Sequence, residues 1–319
     1  MAKSIVIHNT EVLPGEQAVI QLNVARLPSG TIINIGIHVF RTKHEGPTVL
    51  VMGGVHGDEI NGVEIVRRLL DQGLFKKLKI GSVIAIPLLN VYGFINFSRD
   101  ASEGKDVNRS FPGSLKGSLA SRVAANVSRH VLPHIDFGVD FHTGGGSRYN
   151  YPQIRLSQGD KKAEVLARQF AAPYTIRKAN IPKTLRKMAM GMKKPVLVYE
   201  GGEALRYDGF SIEKGIAGLK RLLHAHEMLE EDVAINHQQF LFNKTVWVRA
   251  NNSGMFIWYQ QSGAKVKTGE LLGVINDPHG DVEIPVRASR DGYLIGHNNA
   301  PVVKAGDALF HIGYELEDL

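Results

Sequence analysis

The feature that most constrains the fold of this 319-residue chain is an alternation of short apolar runs with amphipathic stretches over residues 49–230. The amphipathic stretches carry apolar residues at helical spacing and predict helices over residues 60–70, 118–131 and 211–230. The apolar runs predict buried strands over residues 49–52, 82–87, 135–141 and 195–199. Strands that take turns with helices are typical of an α/β domain with a mainly parallel or mixed sheet.

The pattern changes after about residue 240, where short strands and glycine turns follow one another without a helical stretch. This part contains an internal repeat, because residues 249–275 resemble residues 287–313, with Gly254 matching Gly292. Two similar half-sheets folded together predict a small β-sandwich or flattened barrel, and the repeat resembles that of lipoyl- and biotinyl-carrier domains. In those domains a lysine at the hairpin tip carries the cofactor, whereas the connection here, INDPHGDVEIP, has none. We interpret this as a resemblance of fold alone.

These patterns divide the chain into three regions. Residues 1–45 alternate apolar and polar side chains, as in AVIQLNVARLP, and are expected to form β-structure that packs on the main domain. Residues 46–240 are expected to form the α/β domain that holds any catalytic site, and residues 241–319 a C-terminal β domain. At 43% hydrophobic and 22% charged, the composition is that of a globular protein with a sizeable core.

The composition also argues against several classes of function. The chain has no cysteine, so only histidine and carboxylate side chains are available to hold a metal ion. Its net charge of +7 comes from basic residues in small scattered groups, without the dense basic and aromatic stripe of a nucleic-acid site. No run approaches the ~18–20 apolar residues of a membrane-spanning helix. The N-terminus, MAKSIVIHNT, lacks the apolar core of a signal peptide. We therefore expect a cytoplasmic protein that binds neither nucleic acid nor membrane.

Two of the predicted strands lead into glycine-rich turns with histidines. In VLVMGGVHGDEINGVEIVRRLL, His56 and Glu59 stand three residues apart where a helix begins, so both side chains can face one ion. Alone, such a pair is common, and acids at a helix N-terminus are also stabilised by the helix dipole. The stretch IDFGVDFHTGGG repeats the arrangement with His142, which alone would be interpreted as a strand-end histidine. Together, His, Glu and His with one position left to water form the ligand set of a catalytic zinc site.

A polar loop, SRDASEGKDVNRSFPG, contains groups suited to such a site. Asn108 and Arg109 pair an amide with a guanidinium, which suits the carboxylate of a substrate. Asp106 could accept the N–H of a ligating histidine and fix its tautomer. Arg99 could polarise the carbonyl of a scissile amide and stabilise the oxyanion. Without a metal site nearby, the same residues would be interpreted as helix caps and surface ion pairs.

The stretch PVLVYEGGEALRYDGF places a carboxylate at the end of a buried strand. A buried carboxylate is costly unless it has a partner or a catalytic role. Glu200 is therefore a candidate general base that takes a proton from water and passes it to a leaving nitrogen. Glu203, beyond the glycine pair, is the second candidate for this role. Asp58 is expected to have a local or supporting role beside Glu59.

The four stretches in this order, HGDE, DxNRxFPG, DFHTGG and a strand that ends in EGG, resemble the succinylglutamate desuccinylase/aspartoacylase family, which is related to the zinc carboxypeptidases. The resemblance covers most of the chain. It implies an α/β fold with a zinc-carboxypeptidase-like mixed sheet flanked by helices. It also implies a C-terminal all-β domain, here one that resembles a lipoyl- or biotinyl-type barrel-sandwich.

The same resemblance implies a role for eight residues of this chain. It implies one zinc ion per chain, held by His56, Glu59 and His142. It further implies roles for five residues around the ion: Glu200 as general base, Arg99 on the scissile carbonyl, Asn108 and Arg109 on a substrate carboxylate, and Asp106 as the residue that orients His56.

We therefore expect a zinc-dependent amidohydrolase that removes the acyl group from a small N-acyl amino acid or related amide. The nearest alternative is a metallocarboxypeptidase that trims peptide or poly-amino-acid tails, because the same residues would serve it. A non-catalytic binding or carrier protein built on the repeat is disfavoured by the missing hairpin lysine and the complete ligand set. The sequence leaves open the acyl group, the amine and the assembly of a homo-oligomer.

Overall fold

The structure is a computed structural model that describes residues 4–318. Residues 1–3, which belong to the predicted N-terminal β region, and residue 319, the last of the predicted C-terminal domain, lie outside the described residues. The helices are α1 (Ile60–Asp71), α2 (Val91–Ile95), α3 (Leu119–His130), α4 (Lys161–Phe170), α5 (Leu185–Gly191) and α6 (Gly209–Ala225). The strands are β1 (Ile5–Ile7), β2 (Thr10–Val12), β3 (Gln17–Arg26), β4 (Ile32–Arg41), β5 (Thr48–Gly53), β6 (Ser82–Ile86), β7 (Phe137–Gly144), β8 (Arg148–Ser157), β9 (Tyr174–Lys178), β10 (Val196–Glu203), β11 (Phe240–Arg249), β12 (Gly254–Trp258), β13 (Lys265–Val266), β14 (Leu271–Asn276), β15 (Glu283–Arg287), β16 (Gly292–Asn298), β17 (Val302–Val303) and β18 (Ala308–Asp318).

A mixed sheet forms the body of the molecule. Within residues 4–318, it contains twelve strands in the order β13-β16-β18-β11-β9-β8-β10-β7-β5-β6-β4-β3. Its centre is parallel, because β5 pairs in parallel with both β6 and β7, and β7 pairs in parallel with β10. The N-terminal hairpin β3–β4 joins this sheet through the antiparallel pairing of β4 with β6. The mixed α/β fold that the alternation of elements predicts is confirmed.

The central strands are buried on both faces because helices cover each side of the sheet. Val49 and Val51 of β5 face a core that includes residues of α1, α4 and α6. Leu50 and Met52 face the opposite core, which includes residues of α3 and α5. Successive side chains of a strand point to opposite faces, so an uninterrupted apolar run is what a two-sided core requires.

The helices begin at side-chain caps that the sequence provides. Ser118 accepts the backbone N–H of Ser121 at the start of α3, and Asp208 accepts that of Ser211 at the start of α6. The predicted helices at 60–70, 118–131 and 211–230 correspond to α1, α3 and α6, although α6 ends at Ala225. Helices α4 and α5 lie in a part of the chain where the sequence analysis placed no helix. Within residues 4–318 no helix combines the length and apolarity needed to cross a membrane.

The two copies of the C-terminal repeat exchange short strands. In the described chain β12 and β14 of the first copy belong to a four-stranded sheet of order β15-β14-β12-β17, so this sheet also takes β17 from the second copy. In return, β13 of the first copy pairs with β16 of the second. Gly254 lies opposite Val303, and the repeat-equivalent pair Val266 and Gly292 lie opposite one another. The exchange explains why the two copies preserve a glycine and a valine at matching positions.

The C-terminal strands are hydrogen-bonded to the rest of the sheet. Strand β11 pairs in parallel with β9, and β16 pairs with both β18 and β8. The pairings β8–β9–β11–β18–β16–β8 therefore form a closed circuit. The predicted boundary at residues 240 and 241 coincides with the start of β11, and the division into three domains stays a prediction. The resemblance to carrier domains also stays a prediction.

We predict that Gly218→Ala destabilises the protein, although alanine ordinarily stabilises a helix by about 1 kcal/mol over glycine. A Cβ atom at position 218 in α6 would lie 2.1 Å from Cε1 of the fully buried Phe170 ring of α4. Overpacking of this kind costs about 1–3 kcal/mol. Urea denaturation should show a lower free energy of unfolding for the variant. Gly209→Ala, in the same helix with open space around its Cβ, is the control and should be neutral or stabilising.

Candidate active site

The candidate site lies where β5, β7 and β10 run side by side towards their carboxyl ends. The turn after β5 carries His56 and Glu59, and it requires glycine at two positions. Gly54 has a φ of 65°, a region that favours glycine. A Cβ atom on Gly57 would lie 2.0 Å from the backbone carbonyl carbon of Gly93. The glycines therefore allow the turn to pack closely enough to bring its acid and histidine over the sheet.

His142 and Glu200 lie within strands, whereas the sequence analysis placed them just beyond strand ends. Strand β7 extends to Gly144 and β10 to Glu203. His142 and Glu200 therefore lie inside the last few residues of their strands. Glu200 is directly opposite His142 in the parallel register. Neighbouring strands are about 4.8 Å apart, so this register alone holds the predicted base beside the predicted ligand.

His56, Glu59 and His142 converge on one point and are all buried, with at most 4% of each residue exposed. His56 Nδ1 lies 2.8 Å from Glu59 Oε1, and His142 Nδ1 lies 2.7 Å from Glu59 Oε2. The two Nδ1 atoms are 3.2 Å apart. One potential ligand atom from each residue lies within 4.8 Å of the others. Two imidazoles and a carboxylate arranged in this way can bind a metal ion.

Each of the two histidines contacts an aspartate through Nε2, the ring nitrogen that points away from the cluster. His56 Nε2 is 3.1 Å from Asp106 Oδ1, and His142 Nε2 is 2.7 Å from Asp140 Oδ2. With each Nε2–H donated to a carboxylate, both Nδ1 lone pairs face the common point, which is the arrangement of metal-bound histidines. The donor set therefore fits a divalent cation. Asp106 contacts His56, and its predicted role in orienting that histidine stays a prediction. Asp140 was not predicted, although its position two residues before His142 on the same strand face indicates the contact.

The electrostatics of the cluster favour a cation at the point of convergence. Burial raises the pKa of Glu59, but His56 and His142 outweigh it and hold that pKa well below its usual value. Burial lowers the pKa of His142, but Asp140 and Glu59 outweigh it and hold that pKa well above its usual value. Both shifts have the same cause, which is a buried carboxylate that needs positive charge beside it.

Arg99 forms ion pairs with two carboxylates of the cluster and its surroundings. Its Nη1 donates to Glu59 Oε1 at 2.9 Å and its Nη2 donates to Asp106 Oδ2 at 3.0 Å. Gly145 leaves room for this guanidinium, because a Cβ there would lie 3.3 Å from Arg99 Nη1. Arg99 therefore lines the cavity, and in this structure its donors engage two carboxylates. Its predicted role on the scissile carbonyl stays a prediction.

Glu200 is held by two residues of β8 that the sequence analysis missed. Asn150 Nδ2 donates to Glu200 Oε2 at 2.7 Å, and Arg155 Nη1 lies 2.8 Å from Glu200 Oε1. Both contacts depend on the antiparallel pairing of β10 with β8. Nothing in the local sequence around Glu200 indicates this pairing, so no motif could have identified the two partners.

Two other carboxylates near the site have different surroundings. Glu203 Oε2 accepts a hydrogen bond from Asn299 Nδ2 at 2.5 Å, and Glu203 is not among the described residues that line the cavity. The geometry therefore favours Glu200 over Glu203 as the base. Asp58 is buried beside Glu59, and both burial and Glu59 raise its pKa. Its backbone carbonyl accepts the N–H of Leu205.

The cavity in front of the cluster has a volume of about 480 Å³ and is lined by Asn108 and Arg109. Asn108 Oδ1 accepts the backbone N–H of Leu185, which ties the first residue of α5 to the loop that carries Asn108. Arg109 is exposed and donates to the backbone carbonyl of Asn108. The structure thus brings all eight predicted site residues to one cavity.

Comparison with known proteins gives the following matches. Residues 45–226 match the sequence model of the succinylglutamate desuccinylase/aspartoacylase catalytic domain. An N-alpha-acetyl-L-2,4-diaminobutyric acid deacetylase from Halomonas elongata is 25% identical over 294 residues, which cover 87% of this chain and 85% of that protein.

Two crystal structures share the fold over nearly the whole chain. A succinylglutamate desuccinylase from Silicibacter sp. TM1040 aligns with a TM-score of 0.84 and 24% identity, covering 95% of each chain. The product-bound ectoine utilization protein EutE (DoeB) from Ruegeria pomeroyi aligns with a TM-score of 0.83 and 24% identity, covering 94% of this chain and 95% of that one.

We predict that Asp140→Asn weakens the binding of a divalent cation, tested with added zinc, about 10- to 100-fold, since it keeps the size of the side chain but removes the charge behind His142. Competition with a chromogenic chelator measures the affinity directly and does not depend on a substrate. Asp71→Asn makes the same change at the exposed end of α1 and should leave the affinity unchanged. An Asp140→Asn protein that binds zinc as tightly as the wild type would contradict the assigned contact.

Proposed function

The chain belongs to the succinylglutamate desuccinylase/aspartoacylase family, and on that premise we propose that it is a zinc-dependent deacylase of small N-acyl amino acids or related N-acyl amines. The family that the four sequence motifs predict is confirmed by the match over more than half of the chain. The observation that carries the proposal is the buried convergence of His56, Glu59 and His142 beside a cavity that also holds Glu200. A relative that covers most of the chain is a deacetylase of an N-acetylated amino acid, which supports the same reaction class.

We propose that His56, Glu59 and His142 hold the zinc ion, one per chain. The ion would supply the Lewis acidity that activates water and polarises a carbonyl. Asp106 and Asp140 keep the two imidazoles in the tautomer that presents Nδ1. The absence of cysteine from the chain and the mixture of imidazole with carboxylate support zinc over softer or harder metal ions.

Glu200 is proposed to act as general base and then as general acid. Its carboxylate takes a proton from the attacking water and passes it to the amine nitrogen as the C–N bond breaks. The reaction consumes one water: the oxygen and the second proton form the carboxylic acid of the released acyl group. Asn150 and Arg155 fix the Glu200 carboxylate beside His142, and Glu200 still lines the cavity. A positioned base of this kind contributes about 10²–10⁴-fold to the rate.

The remaining residues are proposed to bind the substrate. Asn108 and Arg109 pair with a substrate carboxylate, for which the guanidinium fork has the right geometry. Arg99 stabilises the developing oxyanion, for which its Nη1 has to exchange Glu59 for the substrate oxygen. A cavity of about 480 Å³ is within the range of small-molecule sites, which favours a small amide over a peptide tail. We further propose that the protein is cytoplasmic.

Glu200→Gln should lower kcat/KM for a hydrolysed N-acyl amino acid by at least 100-fold and leave zinc content unchanged. The amide keeps the size and the contact with Arg155 but cannot accept a proton from water. Zinc is measured by atomic absorption and hydrolysis by release of the free amine. Glu203→Gln is the matched control, since Glu203 contacts Asn299 outside the cavity, and it should keep its activity. Full activity in Glu200→Gln would show that the base is another residue.

A substrate survey separates the deacylase from the carboxypeptidase alternative. The zinc-loaded protein should release the amine from N-acetyl and N-succinyl amino acids with a higher kcat/KM than it releases the terminal residue of short peptides. Ile181 and Thr184 of the loop before α5 line the cavity together with Trp247, and we expect this wall to limit the length of a bound chain. Preferred cleavage of tri- or tetrapeptides would replace the deacylase proposal with the carboxypeptidase.

A further inference from the structure

A second cavity lies at the edge of the sheet opposite the candidate active site, and it has a volume of about 350 Å³. Arg41 lines it at the end of β4, and Arg41 lies opposite Ser82, which in turn lies opposite Thr48 at the start of β5. Strand β5 runs from there to Gly53, about 20 Å away, before the turn that carries the metal ligands. The volume is within the range of small-molecule sites, and the proposed deacylase reaction uses none of the residues that line this cavity.

The wall of this second cavity is basic. Among the described residues that line it, none is an acid and five have basic side chains: Arg41, Lys43, His44, Lys76 and Lys79. Glu230, outside the cavity, pairs with Lys79 at 2.8 Å, but both side chains are more than half exposed, so this pair contributes little. Burial lowers the pKa of Arg41, and Glu16 opposes this shift. The acids near the cavity therefore leave much of its positive charge in place.

Lys43 and Lys76 bring charge to the cavity from two structured segments, and neither forms an ion pair with another described residue. In the loop between β4 and β5, the backbone N–H of Thr42 donates to the carbonyl of Gly81 at 3.1 Å. A Cβ atom at Gly15, where φ is 89°, would lie 2.9 Å from Lys43 Cγ, so the lysine stem packs closely on this glycine. Lys76 belongs to the short 3-10 helix that follows α1. A ligand would not have to order either segment, which lowers the entropic cost of binding.

The cavity also has an apolar part, which Phe40, Phe75 and Leu78 line. The rings of Phe40 and Phe75 contact each other, with centroids 5.5 Å apart and planes at 46°. Phe75 is buried, whereas Phe40 and Leu78 are only partly buried, so these two leave apolar surface open to the cavity. Apolar surface beside several cations fits a ligand that joins an apolar ring to an anionic group.

We propose that this second cavity binds a nucleotide, with the ring system against Phe40 and the phosphate chain between Lys43 and Lys76. A phosphate chain carries several negative charges and offsets several cations at once, whereas one carboxylate offsets a single charge. Lysine binds phosphate as a point charge and requires no fixed planar geometry. A concave cavity of this size accommodates a small molecule, whereas a nucleic acid requires an extended basic surface. The proposal goes beyond the deacylase function and does not rest on it.

Calorimetry on the zinc-loaded protein with ADP, adenosine and pyrophosphate tests the two halves of the ligand. ADP should bind at least 10-fold more tightly than either fragment, because only ADP reaches both the cations and the apolar part of the cavity. Adenosine that binds as tightly as ADP would exclude a role for the lysines, and pyrophosphate that binds as tightly as ADP would exclude a role for the ring. The absence of ADP binding at millimolar concentration would reject the proposal.

Paired lysine variants test where ADP binds, because a metal centre also attracts phosphate. Lys76→Gln removes a charge from the cavity wall, and Lys77→Gln removes the neighbouring charge, which does not line the cavity. Both lysines are exposed, so both variants are expected to fold. Lys76→Gln should weaken ADP binding at least threefold and Lys43→Gln/Lys76→Gln at least 10-fold, while Lys77→Gln should change it less than twofold. An ADP affinity that is unchanged in the double variant, or that falls equally in Lys76→Gln and Lys77→Gln, would reject this site.

Zinc content and hydrolysis separate this inference from the proposed function. The Lys43→Gln/Lys76→Gln protein should lose ADP binding but keep the zinc content and the hydrolysis rate of the wild type, since β5 separates the two cavities. ADP binding that depends on Lys76, in a protein that hydrolyses no amide, would support the second site and reject the deacylase. Hydrolysis without ADP binding would leave the deacylase standing and reject the second site. Loss of zinc together with ADP binding in the double variant would reject a separate site.

Discussion

The structure depends on a single electrostatic constraint, which is the burial of the Glu59 carboxylate between the Nδ1 atoms of His56 and His142. Two imidazole nitrogens 3.2 Å apart cannot both present lone pairs to each other without a proton or a metal ion between them. Each ring is oriented by its own aspartate, so neither can rotate away. The geometry and electrostatics of the cluster therefore favour positive charge at its centre, and the surrounding strands and turns hold the three side chains around that point.

The parts of this arrangement that are local in sequence could be predicted. The turn after β5 carries histidine, acid and glycine within six residues, and His142 follows an apolar run on the neighbouring strand. An apolar run buried on both faces and a helix with one apolar face have distinct periods, so β5, β7, β10 and the helices α1, α3 and α6 follow from the sequence alone. The order of the four motifs then identified the family.

The parts that depend on strand pairing could not be predicted. Strand β8 contains Pro152, and proline ordinarily argues against a strand with neighbours on both sides. The structure accommodates it where the pairing of β8 with β10 shifts register, between the pair Gln153–Glu200 and the pair Asn150–Gly202. Asn150 and Arg155, the two partners of Glu200, both lie on β8. Because the sequence does not predict this strand, it predicts neither partner. Asp140 differs from these two residues, because its place two residues before His142 on the same strand face is a signal local to the sequence.

The C-terminal repeat reaches the active site through this same strand. Gly296 of β16 pairs with Asn150, and a Cβ at Gly296 would lie 2.9 Å from Asn150 Oδ1. Asn150 in turn donates to Glu200, so the repeat contacts the residue that positions the proposed base. Trp247 of β11, just before the repeat, lines the cavity, and its ring stacks on that of His311 in the repeat. A region whose hairpin lacks a cofactor-carrying lysine therefore contacts both the partner of the proposed base and a residue of the cavity wall. Its pairing with β8 and β9 favours a role in shaping the site over a role as a separate carrier.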